Sequence, residues 1–210
     1  MRIVMLNGQN HKGSTYHIGR MIGDKIPGNN EIREFFFPRD LNHFCVGCYK
    51  CIEDEKECPY YEEKKVILDV IEDADVLIVT TPTYCSHVSA PLKAFIDLTF
   101  DYWMSHRPRK CMFSKRAVIV STSAGSSPKS AMKDVEDALF YLGVPSITKY
   151  GIAVQAMNWD GVRISKKEKI DKDTSRIAAK LGKSERPHVG IKTRFLFNMM
   201  RMMQKSGWGS

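Results

Sequence analysis

Arg2-Ile3-Val4-Met5-Leu6 runs directly into Asn7-Gly8-Gln9-Asn10-His11-Lys12-Gly13-Ser14-Thr15, after which Ile18, Met21, Ile22 and Ile26 recur at helical spacing. The pattern predicts a strand, a polar loop and a helix. The same unit returns downstream. The stretch from Asp75 to Thr80 has the continuous apolar character of a parallel strand buried on both faces. It opens into Thr81-Pro82-Thr83-Tyr84, and a helix is predicted from Pro91 to Phe100 with Ser89 near its cap. Arg116 to Ser121 gives way to Thr122-Ser123-Ala124-Gly125-Ser126-Ser127 and then to a helix from about Ser130 to Leu142. Glu31 to Phe37, stopped by Pro38, and Ile147 to Val154 supply two further strands. Val66 to Ile71, with Glu62, Glu63, Lys64 and Lys65 in its first turn, and Ser165 to Leu181 supply two further helices. Five strands alternating with helices predict a doubly wound α/β parallel sheet with helices on both faces. Ligands of such sheets bind outside the carboxyl ends of the strands, where three Ser/Thr/Gly-rich loops fall.

At 210 residues and 43% hydrophobic content, the chain suits one buried core. The expected organisation is a single domain over 1–185 and a basic amphipathic extension over 186–210. No charged start leads into an apolar h-region, and the apolar runs are far short of a membrane span. A cytoplasmic protein with reduced thiols and no transmembrane segment is expected. The 32 Lys+Arg against 24 Asp+Glu leave a charge of +8, which favours anionic partners such as nucleotides and phosphorylated cofactors. The basic residues are spread from Arg107 to Lys115 and over the C-terminal region, not interleaved with aromatics in one patch, so no nucleic-acid partner is expected. Ile191 to Lys205 mixes Phe and Met with Lys192, Arg194, Arg201 and Lys205. It is expected to pack on the domain or form an oligomer contact, with a membrane surface as the alternative.

The first loop has neither the spacing of a triphosphate P-loop nor a dinucleotide Gly-x-Gly-x-x-Gly. Backbone N–H groups at a helix start, the Ser14 and Thr15 hydroxyls and the Lys12 charge still suit one phosphate monoester. The alternative is that Ser14 and Thr15 only cap the helix. Pro82, Tyr84 and His87 would lie where a planar ring could sit, against plain structural roles for Tyr84 as a core-edge aromatic and His87 as a surface histidine. Cys45, Cys48, Cys51 and Cys58 hold spacings that let one loop gather its sulfurs around an iron-sulfur cluster or a zinc ion, or leave them as free thiols. Cys85 and Cys111, without close cysteine partners, are expected to be buried small hydrophobes.

Taken together, Asn7-Gly8 through Thr15, the Cys45 to Pro59 loop, Thr81 to Tyr84 with Ala90 to Asp97, and His106-Arg107-Pro108 resemble the flavodoxin-like NAD(P)H-dependent FMN reductases, iron-sulfur flavoproteins among them. The similarity covers roughly the first 155 residues and implies the flavodoxin-like strand order 2-1-3-4-5. The resemblance implies FMN, its phosphate on Gln9, His11, Lys12, Ser14 and Thr15. It implies that Pro82, Thr83, Tyr84 and Cys85 contact the isoalloxazine ring and that Thr122, Ser123, Ala124 and Gly125 approach its other side. One departure is that family members commonly carry Gly-Ser-Pro where this chain has Gly8-Gln9-Asn10. The implied activity takes a hydride from NADH or NADPH and passes electrons to a quinone, aromatic or flavin acceptor. The alternative is an iron-sulfur flavoprotein carrying electrons between protein partners, with a 4Fe-4S cluster on Cys45, Cys48, Cys51 and Cys58; a zinc-stabilised sensor module is a third possibility. A homodimer or higher homo-oligomer is also implied. No side-chain acid or base is demanded, because the flavin carries the chemistry. Lys12 or Arg107 would stabilise reduced, anionic flavin.

Overall fold

The structure, a computed structural model, describes residues 1–103 and 109–206. His106, Arg107 and Pro108 therefore lie outside the described residues. The chain runs β1 (Arg2–Asn7), α1 (Ser14–Lys25), β2 (Glu31–Phe36), α2 (Lys50–Glu53), α3 (Tyr61–Asp73), β3 (Val76–Pro82) and α4 (Ala90–Leu98). It continues through α5 (Phe100–Trp103), β4 (Arg116–Ser123), α6 (Lys129–Tyr141), β5 (Ser146–Ala153), α7 (Ile164–Leu181) and α8 (Ile191–Lys205). The five strands form one parallel sheet of order β2-β1-β3-β4-β5.

Period-two alternation decides which side chain meets which helix. Ile3, Met5, Val76, Ile78, Val118 and Val120 face one core, closed by Ile18 and Ile22 of α1 and by Ile170, Ile177 and Leu181 of α7. Val4, Leu6, Leu77, Val79, Ala117 and Ile119 face the other, closed by Ile67 and Ile71 of α3, Leu92 and Phe95 of α4, and Val135 and Leu139 of α6. A sheet covered on both faces has no solvated side, which is why β3 and β4 read as unbroken apolar runs.

One local reading changes, and one buried ion pair is added. The helix expected to reach Phe100 ends at Leu98, where the Thr99 hydroxyl donates to the Ile96 carbonyl at 2.7 Å and satisfies one of the helix's last acceptors. Lys64, which falls in a run of four charges, is only 1% exposed, and its ammonium bonds the Leu98 carbonyl at 3.1 Å and the Asp101 carboxylate at 2.9 Å. The pair fastens α3 to the end of α4 and to α5.

No helix among the described residues is long and apolar enough to cross a membrane. Helix α8 packs near the amino edge of the sheet. Phe197 meets Phe113, on the turn before β4, edge-on at 4.9 Å, and Lys192 lies 5.1 Å over the ring of Phe140 near the end of α6.

Candidate functional site

Where β1 ends, Asn7 ties three strands together. Its amide donates to the Phe35 carbonyl of β2 at 3.0 Å and its Oδ1 accepts from the Thr80 hydroxyl of β3 at 2.9 Å. The chain then leaves the sheet at Gly8, whose N–H donates to the Thr80 carbonyl at 2.8 Å and whose carbonyl accepts from the Ser89 hydroxyl at 2.7 Å. A Cβ at Gly8 would sit 2.5 Å from Ser89 Oγ and 3.0 Å from the Thr80 carbonyl oxygen, so the position demands glycine through close approach. Ser89 is the N-cap of α4, yet its hydroxyl serves Gly8 and Thr81 instead of the helix.

Gly13 is the N-cap of α1 and no side chain caps the helix. Ser14 and Thr15 thus lie within the first turn, both buried, and not in the capping role. An α-helix leaves its first N–H groups without intrahelical partners, and here they border a pocket at the carboxyl edge. The Thr15 and Thr122 hydroxyls bond each other, joining α1 to the end of β4. Thr83 extends the link between strands: its N–H donates to the Thr122 carbonyl at 2.8 Å, and its hydroxyl lies 3.0 Å from that of Ser121.

Gln9, His11, Ser14, Thr15, Pro82, Thr83, Tyr84, Thr122, Ser123 and Ala124 line this one pocket of about 330 Å³. Three expected residues do not line it. Lys12 rests its ammonium 5.3 Å over the ring of Tyr16, while Cys85 and Gly125 are exposed. Cys85 is not the buried hydrophobe expected of it, because the turn between Tyr84 and His87 puts Cys85 and Ser86 at φ of 48° and 69°, at the exposed tip. Asp134 of α6 pins that turn, accepting from the Val88 N–H at 3.2 Å and lying 3.0 Å from His87 Nδ1. Cys111 is half-buried against the core beside Glu72.

The pocket also takes Asn7, Gly13, Tyr16, Thr80, Val154, Ala156 and Met157. The last three belong to a fourth loop at the same edge, after β5, and it is the apolar members of that loop that face the pocket. Among the described residues that line it, none is acidic. Burial first, and then the neighbouring Glu34, raise the Tyr16 phenol above its ordinary value and keep it neutral. Burial lowers the neighbouring His17 imidazole, which stacks on Trp159 at 5.4 Å. A site without carboxylates, facing the positive end of a helix, is suited to an anion. The pocket lies between β1 and β3, where the winding of the sheet reverses. A larger pocket, about 500 Å³, lies at the amino edge among Arg2, Glu31, Arg33, Asp69, Glu72 and Asp73. Its charges are of both signs, Arg2 pairing with Asp73 at 2.5 Å, and it is remote from the loops of the carboxyl edge.

Cys45, Cys48, Cys51 and Cys58 all line a separate pocket of about 100 Å³, together with Tyr49, Tyr60, Leu98 and Phe100. Gly47 and Tyr49, at φ of 65° and 59°, turn the loop so that its thiols share this wall. Cys45 and Cys48 are exposed, Cys51 and Cys58 half-buried. Burial is the main cause raising the Cys51 thiol; Asp101 adds to the rise and Lys64 opposes it. Among the described residues no group of three or more His, Cys, Asp or Glu is gathered closely enough to hold a metal ion. The thiols share a pocket but do not converge on a preformed metal centre.

Residues 1–158 match the model of the NADPH-dependent FMN reductase family. The chain belongs to that family. Among its relatives, an FMN-dependent NADH:quinone oxidoreductase of Hydrogenovibrio crunogenus is 28% identical over 153 residues, 65% of this chain and 74% of that one. An iron-sulfur flavoprotein of Archaeoglobus fulgidus is 24% identical over 98 residues, 46% of this chain and 48% of that one, so the chain spans about half the length of that relative. The fold is shared with an FMN-dependent NADH-azoreductase of Bacillus anthracis solved with FMN, at a TM-score of 0.63 and 13% identity over 85% of this chain and 100% of the other. The sheet order β2-β1-β3-β4-β5 is the flavodoxin-like one expected from the sequence.

Proposed function

We propose that the protein is an NAD(P)H-dependent FMN oxidoreductase that passes electrons to a quinone, aromatic or flavin acceptor. The observation that carries the proposal is the acid-free pocket at the sheet's reversal point, under the uncapped start of α1. Membership of the reductase family and this chemistry agree. FMN held there would supply the hydride-accepting chemistry that links the nicotinamide to the acceptor.

The chain's own residues bind and orient. The first-turn N–H groups of α1, with the Ser14 and Thr15 hydroxyls, would hold the phosphate, and the Thr15 hydroxyl can accept from Thr122 while it donates to a phosphate oxygen. Pro82, Thr83 and Tyr84 flank the ring on one side, with Thr122, Ser123 and Ala124 on the other. Tyr84, 49% exposed, leaves the mouth open to a second planar molecule. The absence of carboxylates from the lining spares any negative charge on the ring from repulsion. A homodimer and a cytoplasmic setting belong to the same proposal.

The test is steady-state oxidation of NADH and of NADPH by the FMN-loaded protein with a soluble quinone. Turnover well above that of free FMN is expected, and turnover no faster than free FMN sinks the proposal. A second reading, an electron carrier with a 4Fe-4S cluster on Cys45, Cys48, Cys51 and Cys58, is favoured by the single pocket those thiols line. Protein purified without oxygen distinguishes the two: iron with broad visible absorbance supports the carrier, zinc alone a structural ion, and flavin bands without metal the plain reductase.

A further inference from the structure

Helix α8 makes its contacts on one side. Thr193 and Met200 are buried, and Phe197 meets Phe113. On the opposite side Ile191, Phe195 and Met202 are 85%, 69% and 65% exposed. With about 100° of turn per residue, these three fall within about 40° of one another and form one stripe. Arg194, Arg201 and Lys205, all exposed, run along one flank of it, and exposed Lys192 lies on the other. From Arg186 to the end of the chain the charged residues are Arg186, Lys192, Arg194, Arg201 and Lys205, with no Asp or Glu.

We propose that this outer face of α8 is a docking surface for an anionic lipid membrane. Ile191, Phe195 and Met202 dip into the boundary between headgroups and acyl chains, and Arg194, Arg201 and Lys205 meet the anionic headgroups, while Lys192 stays over Phe140. A helix of 15 residues with four cations lies in the plane of the interface and does not span it. Charge selects lipid over a second copy of the chain. A two-fold contact through the same face would bring two sets of Arg194, Arg201 and Lys205 together with no acidic residue of α8 to offset them. Three apolar side chains also fall well short of the roughly 800 Å² per partner that a stable dimer buries.

The test is co-sedimentation of the full-length, FMN-loaded protein with phosphatidylcholine vesicles, with and without phosphatidylglycerol, at low and high salt. Binding to the anionic vesicles about tenfold stronger than to the neutral ones, and weakened by salt, is expected. Two double variants, Phe195→Ser with Met202→Ser and Arg194→Gln with Arg201→Gln, are each expected to lose about tenfold in binding while NAD(P)H oxidation stays unchanged. Equal binding to both vesicles, no binding to either, or wild-type binding by the Phe195→Ser/Met202→Ser protein overturns the proposal. If the same double variant instead turns a dimer into a monomer in light scattering without lipid, the face belongs to a second copy. The measurement uses neither nicotinamide nor acceptor, so its failure is separate from a failure of the reductase assay.

Discussion

Gly8 shows how one missing side chain positions a site. Its carbonyl holds the Ser89 hydroxyl, and its N–H holds the Thr80 carbonyl, so the loop leaves β1 already fixed to β3 and to the start of α4. Gly8→Ala places a methyl group on both contacts at once. We expect it to cost about 1–3 kcal/mol of stability in urea unfolding, as overpacking does, and to weaken FMN binding in a fluorescence titration. Alanine at wild-type stability would show that the loop can yield. At this scale the sequence was partly legible. Ser14 and Thr15 stood out as hydroxyls at a helix start, but the choice between capping and lining a pocket turned on Gly13, which takes the N-cap position and leaves them inside the turn. Cys85 was misjudged because nothing local announces that it sits at a left-handed backbone angle on an exposed turn.

Among the elements, the buried pair of Lys64 and Asp101 makes α3, α4 and α5 one unit. Removing one partner leaves a charge in the interior without its counter-ion. Lys64→Met is expected to cost about 3–5 kcal/mol, and Lys64→Met with Asp101→Leu to cost less than Lys64→Met alone. Urea unfolding of the two variants measures the difference, and equal losses would mean that the ion pair is not what links the helices. The sequence held this clue. Lys64, Ile67, Leu68 and Ile71 fall at i, i+3, i+4 and i+7, the spacing of a core-facing stripe, and all four are buried in α3. The adjoining Glu62, Glu63 and Lys65 masked it, since a run of charges ordinarily signals a solvated turn. The strands were easier, because burial on both faces writes itself into composition with little interruption.

In the molecule as a whole, the pocket at the sheet's reversal point and the cysteine pocket share no lining residue. Cofactor binding and thiol chemistry are therefore expected to be independent. Replacing Cys45, Cys48, Cys51 and Cys58 together by serine should leave FMN affinity within about twofold, as distant sites without shared partners behave additively. A large loss of flavin would instead join the thiol loop to the cofactor site. The fourth loop of the pocket, which contributes Val154, Ala156 and Met157, was illegible because such apolar side chains after β5 look like any strand end until the sheet order places them beside β4. The placement of α8 adds a last consequence. It packs at the amino edge, through Phe113 and Phe140, whereas the flavin pocket opens at the carboxyl edge. A molecule lying on a bilayer by α8 would hold its pocket upright, away from the lipid. Dissolved nicotinamide would reach it freely, and a quinone with a long isoprenoid tail would have to leave the bilayer to do so. On the membrane proposal, an oxidant that dissolves in water is therefore favoured over one confined to the bilayer.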